Sequence, residues 1–195
     1  MPDTPLLPAR LLVVVRDRST ALDLAPQLAG TELALEITSS IAGYVDLIGE
    51  LVGTYETLHV IAGTITDADA ARAAEAAGAE ALVSPHVVAE IPAAVEIPTI
   101  IGALTPTEVT AAAACGATAV KVFPVSAMGG ASYLRSLRGP YPDVPLVPSG
   151  GIQPDDVADY FAAGALGVAL GSAALTSGGA PAVVVEKLSG VLADV

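Results

Sequence analysis

Two ionisable residues interrupt apolar runs of the sequence, Lys121 in AVKVF and Glu36 in LALEIT. An unpaired charge in an apolar interior costs several kcal/mol, so each residue needs a chemical or structural reason. Desolvation disfavours the ammonium form of a lysine, and the free amine attacks carbonyl carbons to form a Schiff base. The pair therefore predicts a lysine nucleophile and a carboxylate that moves protons beside it. The alternative is an ion pair that serves packing alone.

Short polar and glycine-containing segments follow several of the apolar runs. Two of them, SGG after LVP and GS at the end of VALGS, offer backbone amides that favour phosphate: Ser149, Gly150, Gly151, Gly171 and Ser172. Tight turns also require glycine, so this pattern alone is weak evidence. Gly63 and Thr64 after the third run, with Arg16 after the first, form a second group that would hold a carboxylate.

Composition excludes several classes of partner. Eight Lys and Arg residues against 21 Asp and Glu give a net charge of −13, which would repel nucleic acid and anionic membrane surfaces. His59 and His86 belong to no metal-ligand pattern, so we expect no metal. No apolar run is long enough to span a membrane, and MPDTPLLPAR does not resemble a signal peptide. We therefore expect a cytoplasmic protein that acts on small molecules.

The apolar runs recur along the whole chain and alternate with segments of helical composition. They begin at Leu11, Leu33, Leu58, Ala81, Thr99, Ala119, Leu146 and Val168. Such alternation fits an open doubly wound sheet or a closed barrel, and eight short, regular units favour the barrel. We predict a single (β/α)8 TIM barrel over residues 1–195. Its chemistry should lie at the carboxyl ends of the strands, where the residues above are found.

Helix boundary signals agree with this alternation. Helix starts are predicted at Asp67, at Thr105–Pro106 and at Pro154–Asp155, because these residues cap helices or open their first turn. Helix ends are predicted at three glycines, each followed by the next apolar run: Gly78, Gly116 and Gly164.

The motifs together resemble the Schiff-base-forming 2-keto-3-deoxy-6-phosphogluconate and 4-hydroxy-2-oxoglutarate aldolases. The motifs that carry this resemblance occur in the family's order and spacing: VVVR, LEIT, AGT, SPH, GALTPTE, VKVFP, GGASYLRSLRGPYP, VPSGGI and GSAAL. The family is a (β/α)8 barrel and typically a homotrimer that needs no metal. The resemblance implies that the chain cleaves a 2-keto-3-deoxy-6-phospho sugar acid or 4-hydroxy-2-oxoglutarate to pyruvate and an aldehyde.

The resemblance also assigns roles to residues. It implies that Lys121 forms the imine with pyruvate, that Glu36 is the acid/base and that Phe123 packs beside the lysine. The substrate carboxylate would lie near Arg16, Gly63 and Thr64, and Pro85 would border the substrate. The phosphate end would be held by the two glycine-containing turns, that is by Ser149, Gly150, Gly151, Gly171 and Ser172.

Three positions depart from the family pattern. Ser40 stands where many members have arginine, His86 where many have glycine, and Ser149 where threonine is commoner. These differences affect substrate identity more than reaction type. Two other interpretations remain open from sequence: a different phosphate-binding barrel isomerase or synthase, and a silent homologue that binds a sugar acid. Lys121 argues against the first, because such enzymes need no imine, and Lys121 together with Glu36 argues against the second.

Overall fold

The structure, a computed structural model, describes residues 6–177 and 181–193. Within them, eight parallel strands follow one another around a barrel in the order β7-β6-β5-β4-β3-β2-β1-β8. The strands are β1 (Leu11–Val15), β2 (Leu33–Thr38), β3 (His59–Gly63), β4 (Ala81–Val83), β5 (Thr99–Ala103), β6 (Ala119–Val122), β7 (Leu146–Pro148) and β8 (Val168–Gly171). A single parallel bridge between Ser149 and Ala169 joins the β7 and β8 edges and closes the ring. The predicted barrel is confirmed.

Helices cover the outside of the barrel. They are α1 (Arg18–Leu28), α2 (Tyr44–Thr54), α3 (Ala68–Ala76), α4 (Pro106–Ala114), α5 (Ala131–Arg138), α6 (Val157–Ala162), α7 (Ala173–Ser177) and α8 (Pro181–Ala193). None of these described helices is long and apolar enough to cross a membrane.

One connection departs from the predicted alternation. Residues 84–98, between β4 and β5, form turns and irregular backbone without a helix. This segment contains Pro85, Pro92 and Pro98, which remove helical hydrogen bonds and restrict the residues before them. The prediction of a helix in every gap was therefore wrong here.

The predicted helix caps are confirmed in their main features. The Asp67 side chain accepts a hydrogen bond from the Ala70 amide at the start of α3. Thr105 and Glu108 form a reciprocal capping box at the start of α4. Pro154 opens a 3₁₀ turn, and α6 begins three residues later at Val157. The three predicted helix-ending glycines all have positive φ: Gly78, Gly116 and Gly164.

Strand alternation determines what fills the barrel. The interior is packed with small and branched apolar side chains: Leu7, Ala9, Leu12, Val14, Ala34, Ile61, Ala81, Val83, Ile100, Ala119, Val147 and Ala169. Side chains two residues apart on a strand point to the same face. Because Ala34 and Ala119 face inward, Glu36 and Lys121 also face inward, one layer closer to the carboxyl ends of the strands.

Candidate active site

The two ionisable residues that interrupt the apolar strands meet inside the barrel. Glu36 on β2 is fully buried and Lys121 on β6 is 8% exposed. The Lys121 Nζ lies 3.5 Å from Glu36 Oε1. The barrel therefore brings the predicted nucleophile and the predicted acid/base into direct contact, although they are far apart in sequence.

The Glu36 carboxylate keeps its hydrogen-bonding capacity free. Among the described residues, neither of its oxygens has a hydrogen-bond partner. A buried carboxylate without partners is costly, since such groups are normally satisfied by protein or water. Within the described residues, Lys121 is the one side chain that pairs with this carboxylate, through Oε1, so the carboxylate remains able to accept and return protons.

A cavity of about 360 Å³ opens at the carboxyl ends of the strands, and Lys121 lies in its wall. The lining residues are Val14, Arg16, Thr64, Pro85, Lys121, Phe123, Ser149, Gly150, Gly151 and Gly171. All of them except Val14 are residues that the sequence had singled out. Val14 gave no signal because an apolar residue in an apolar strand looks like core.

Phe123 borders the lysine on the open side of the cavity. Phe123 is 37% exposed, and its ring centroid lies 5.7 Å from the Lys121 Nζ. This distance is within the range of a cation–π contact. The ring therefore lies beside the amine in the cavity wall.

Thr64 has an unusual backbone conformation at the edge of the cavity. Its φ is +59°, and among the described residues no other non-glycine residue has positive φ. The left-handed region costs an ordinary L-residue about 1–2 kcal/mol. Such outliers concentrate at binding and catalytic sites. Arg16, which lines the same cavity, is exposed and forms no ion pair within the part of the chain described.

The turn after β7 needs glycine at two successive positions. Gly150 and Gly151 have φ of +94° and +80°. A Cβ on Gly150 would lie 2.9 Å from the Phe123 ring, and one on Gly151 would lie 2.8 Å from Ser126 Cβ. The turn therefore packs against the segment that follows Lys121, and its backbone faces the cavity.

Three of the predicted site residues do not line the cavity. Glu36 lies behind Lys121, and Gly63 lies against Glu36. The Ser172 amide donates to the Val14 carbonyl at 2.9 Å, which extends the pairing of β8 with β1 and leaves this amide unavailable to a ligand.

His86 lies outside the cavity that contains Lys121. It is exposed and lines a neighbouring cavity of about 320 Å³, which shares Pro85 and Phe123 with the first. Glu108, which belongs to the capping box of α4, also lines this second cavity. Hydrogen bonds from the backbone of Thr105 and Leu104 hold the pKa of its carboxyl below the usual value.

Across residues 6–177 and 181–193, no group of His, Cys, Asp and Glu is arranged to hold a metal ion.

Comparison with known proteins identifies the family. A sequence model of the family described as KDPG and KHG aldolase matches residues 3–184. The chain belongs to the KDPG and KHG aldolase family. The 2-dehydro-3-deoxy-phosphogluconate aldolase of Pseudomonas aeruginosa is 35% identical to it over 166 residues, which are 82% of this chain and 76% of that protein.

Solved structures of this family share the fold. The 4-hydroxy-2-oxoglutarate/2-dehydro-3-deoxyphosphogluconate aldolase from TTHB1 has a TM-score of 0.79 and 32% identity, covering 97% of this chain and 98% of that one. The KDPG aldolase of Legionella pneumophila, solved with pyruvate as a covalent carbinolamine intermediate, has a TM-score of 0.79 and 25% identity, covering 98% of both chains. The chain is a class I, pyruvate-dependent aldolase and thus a carbon–carbon lyase.

The contact between Gly63 and Glu36 leads to a first prediction. A Cβ at residue 63 would lie 2.3 Å from Glu36 Oε1, so Gly63→Ala must displace the carboxylate. A displacement of about 1 Å at a reacting group costs about 100-fold in rate, and we expect that loss in kcat/KM for aldol cleavage. Gly53→Ala is the control, because nothing lies within 4 Å of its Cβ. Activity of Gly63→Ala within threefold of wild type would contradict the prediction.

Proposed function

We propose that Lys121 forms an imine with the 2-keto group of a keto acid and that Glu36 moves the protons of the reaction. The contact at 3.5 Å between Lys121 Nζ and a Glu36 oxygen, at the wall of an open cavity, carries this proposal. An acid/base within one water of the reacting atoms is well placed for proton transfer. Among the described residues, neither side chain has another polar partner that would explain its burial in the barrel.

The reaction proceeds in steps that these two groups supply. The Lys121 amine adds to C2, and loss of water from the carbinolamine gives an iminium. Glu36, through water, takes the proton of the C4 hydroxyl, and the C3–C4 bonding electrons move into the iminium to give an enamine and a free aldehyde. Protonation at C3 by the same carboxyl and hydrolysis of the iminium release pyruvate and restore Lys121.

The carboxylate of the keto acid is proposed to bind between Arg16 and Thr64. Arg16 supplies a guanidinium that is not neutralised by a carboxylate among the described residues. Thr64 presents an amide and a hydroxyl in a conformation that is otherwise unfavourable for threonine. With Ser40 in place of the family arginine, Arg16 is the arginine that lines the cavity.

The distal end of the substrate is proposed to lie at the glycine-containing turns. Ser149, Gly150, Gly151 and Gly171 line the cavity on the side opposite Thr64 and Pro85. A protein with a net charge of −13 needs local amide dipoles to hold an anion. We propose a 2-keto-3-deoxy-6-phospho sugar acid, such as 2-keto-3-deoxy-6-phosphogluconate, as the preferred substrate. The shorter 4-hydroxy-2-oxoglutarate would leave this end of the cavity empty.

The iminium is itself the electron sink, so we propose that no metal or other cofactor takes part. We further propose one catalytic domain over residues 1–195 that assembles as a homotrimer in the cytoplasm. The family resemblance supports the trimer, and the acidic composition supports small-molecule substrates over nucleic acid or membrane partners.

Borohydride trapping tests the function directly. The protein is incubated with pyruvate, reduced and mapped by peptide mass spectrometry, and kcat/KM is measured for phosphorylated and unphosphorylated keto acids. The chain has two lysines, Lys121 and Lys187, so the map distinguishes them from each other and from the N-terminal amine. A pyruvyl adduct on Lys121 is expected. A folded protein without an adduct there would overturn the proposal.

A further inference from the structure

The left-handed backbone of Thr64 must be held by contacts around it. Threonine is branched at Cβ and avoids this region, so an unsupported Thr64 would relax towards negative φ. Relaxation would turn both the amide and the hydroxyl of Thr64 away from their present positions in the cavity wall. The residue that prevents this relaxation therefore contributes to substrate binding without touching substrate.

Ser39 holds both carbonyl groups that flank the Thr64 Cα. Its amide donates to the Gly63 carbonyl at 2.8 Å, and its hydroxyl donates to the Thr64 carbonyl at 2.6 Å. These two bonds fix the peptide planes on either side of the Thr64 φ and ψ. Ser39 is half-buried and does not line the cavity, whereas Thr64 does.

The same short segment also reaches the other side of the carboxylate site. The Thr38 hydroxyl donates to the Val15 carbonyl at 2.9 Å, directly before Arg16. The end of β2 thus connects the backbone next to Arg16 with the backbone at Thr64, and it carries Glu36 two residues before Thr38. The spacing between the two carboxylate-binding residues and the acid/base is set by this one strand end.

We propose that Ser39 is a positioning residue that fixes Thr64 for binding the carboxylate of the keto acid. The inference rests on the proposed function, in which Thr64 contacts that carboxylate. Loss of the Ser39 hydroxyl weakens ground-state binding of pyruvate and of the cleavage substrate. The chemical step at Lys121 and Glu36 stays intact once the site is saturated.

The test compares Ser39→Ala with two matched variants. Ser39→Ala is expected to raise the KM for pyruvate in borohydride trapping by about fivefold to tenfold, with the trapping rate at saturation changed less than about twofold. Ser39→Thr retains the hydroxyl and restores the wild-type KM. Ser136→Ala removes a similar hydroxyl-to-carbonyl bond on α5, away from the cavity, and leaves KM unchanged.

A second comparison, in a Thr64→Gly background, tests whether Ser39 acts through Thr64. Glycine adopts positive φ without strain, so the backbone at 64 no longer depends on Ser39. Thr64→Gly and Thr64→Gly/Ser39→Ala should share one KM within about twofold. This comparison also tests the role of Ser39 if Ser39→Ala alone does not fold. Circular dichroism then shows that the two variants carrying Thr64→Gly are folded before their KM values are compared.

The outcomes separate this inference from the proposed function. An unchanged KM in Ser39→Ala, or a KM increase of the same size in the Thr64→Gly background, overturns the role of Ser39 while the Lys121 adduct still forms. Absence of the adduct from the wild-type protein overturns the proposed function and the inference with it.

Discussion

Lys121→Met should lower kcat for aldol cleavage by about 10⁴-fold or more and abolish the pyruvate adduct. Methionine keeps a flexible apolar stem for a side chain that is 8% exposed, but it has no amine to attack the keto carbon. Lys187→Met is the control, because Lys187 is exposed and pairs with Asp155 on the surface. Residual cleavage within about tenfold of wild type would show that the nucleophile lies elsewhere.

The same variant separates catalysis from packing. Lys121→Met leaves the Glu36 carboxylate buried without its counter-ion, and we expect the free energy of unfolding to fall by about 3–5 kcal/mol. Lys121→Met/Glu36→Gln removes both charges and should recover most of that loss while remaining inactive. Urea denaturation of the two variants measures the difference. Equal stability of the single and double variants would mean that the ion pair contributes little to folding.

The inward-facing pair could be predicted because two simple signals coincide at each residue. A charged side chain in an apolar strand is costly, and lysine occurs only twice in the chain, so Lys121 stands out. Barrel geometry then places the carboxyl ends of all strands around one opening. Sequence alone could not give the distance between Glu36 and Lys121, because strand register and tilt determine it.

The backbone of the site was less predictable. Ser172 is predicted at the phosphate site as part of a glycine-containing turn, and sequence alone could not show that its amide bonds to the Val14 carbonyl and extends the pairing of β8 with β1. The positive φ of Thr64 depends on hydrogen bonds from Ser39, which precedes it by 25 residues, and no local pattern indicates such a contact. Tertiary hydrogen bonds override local propensity in both cases.

The β4–β5 connection shows how composition can mislead. Residues 84–98 contain enough Ala, Val and Glu to suggest a helix, yet the three prolines prevent one. The resulting chain packs close to β5, where a Cβ on Gly102 would lie 2.2 Å from the Pro85 carbonyl carbon. This close approach brings Pro85 to the cavity wall, so the missing helix is part of how the site is built.

Glu36→Gln is expected to lower kcat by about 10²–10⁴-fold while leaving the Lys121 adduct in place. The amide has nearly the same shape as the carboxylate but cannot take up the proton of the substrate hydroxyl. Exchange of the pyruvate methyl protons in D₂O, followed by NMR, isolates this role because it requires the imine and a proton acceptor but no aldehyde. We expect exchange to slow in parallel with kcat.

Glu32→Gln provides the matched control for this prediction. Glu32 is exposed and lines a separate cavity with Arg10 and His59 at the opposite end of the barrel. The Glu32→Gln variant should therefore exchange the pyruvate methyl protons at the wild-type rate. Wild-type exchange in Glu36→Gln would mean that another group or solvent carries the proton. Loss of both exchange and the adduct would place Glu36 in imine formation instead. Slow exchange with an intact adduct assigns Glu36 to the transfer of the carbon and hydroxyl protons, a role for which its carboxylate is free because neither oxygen accepts a hydrogen bond from the described residues.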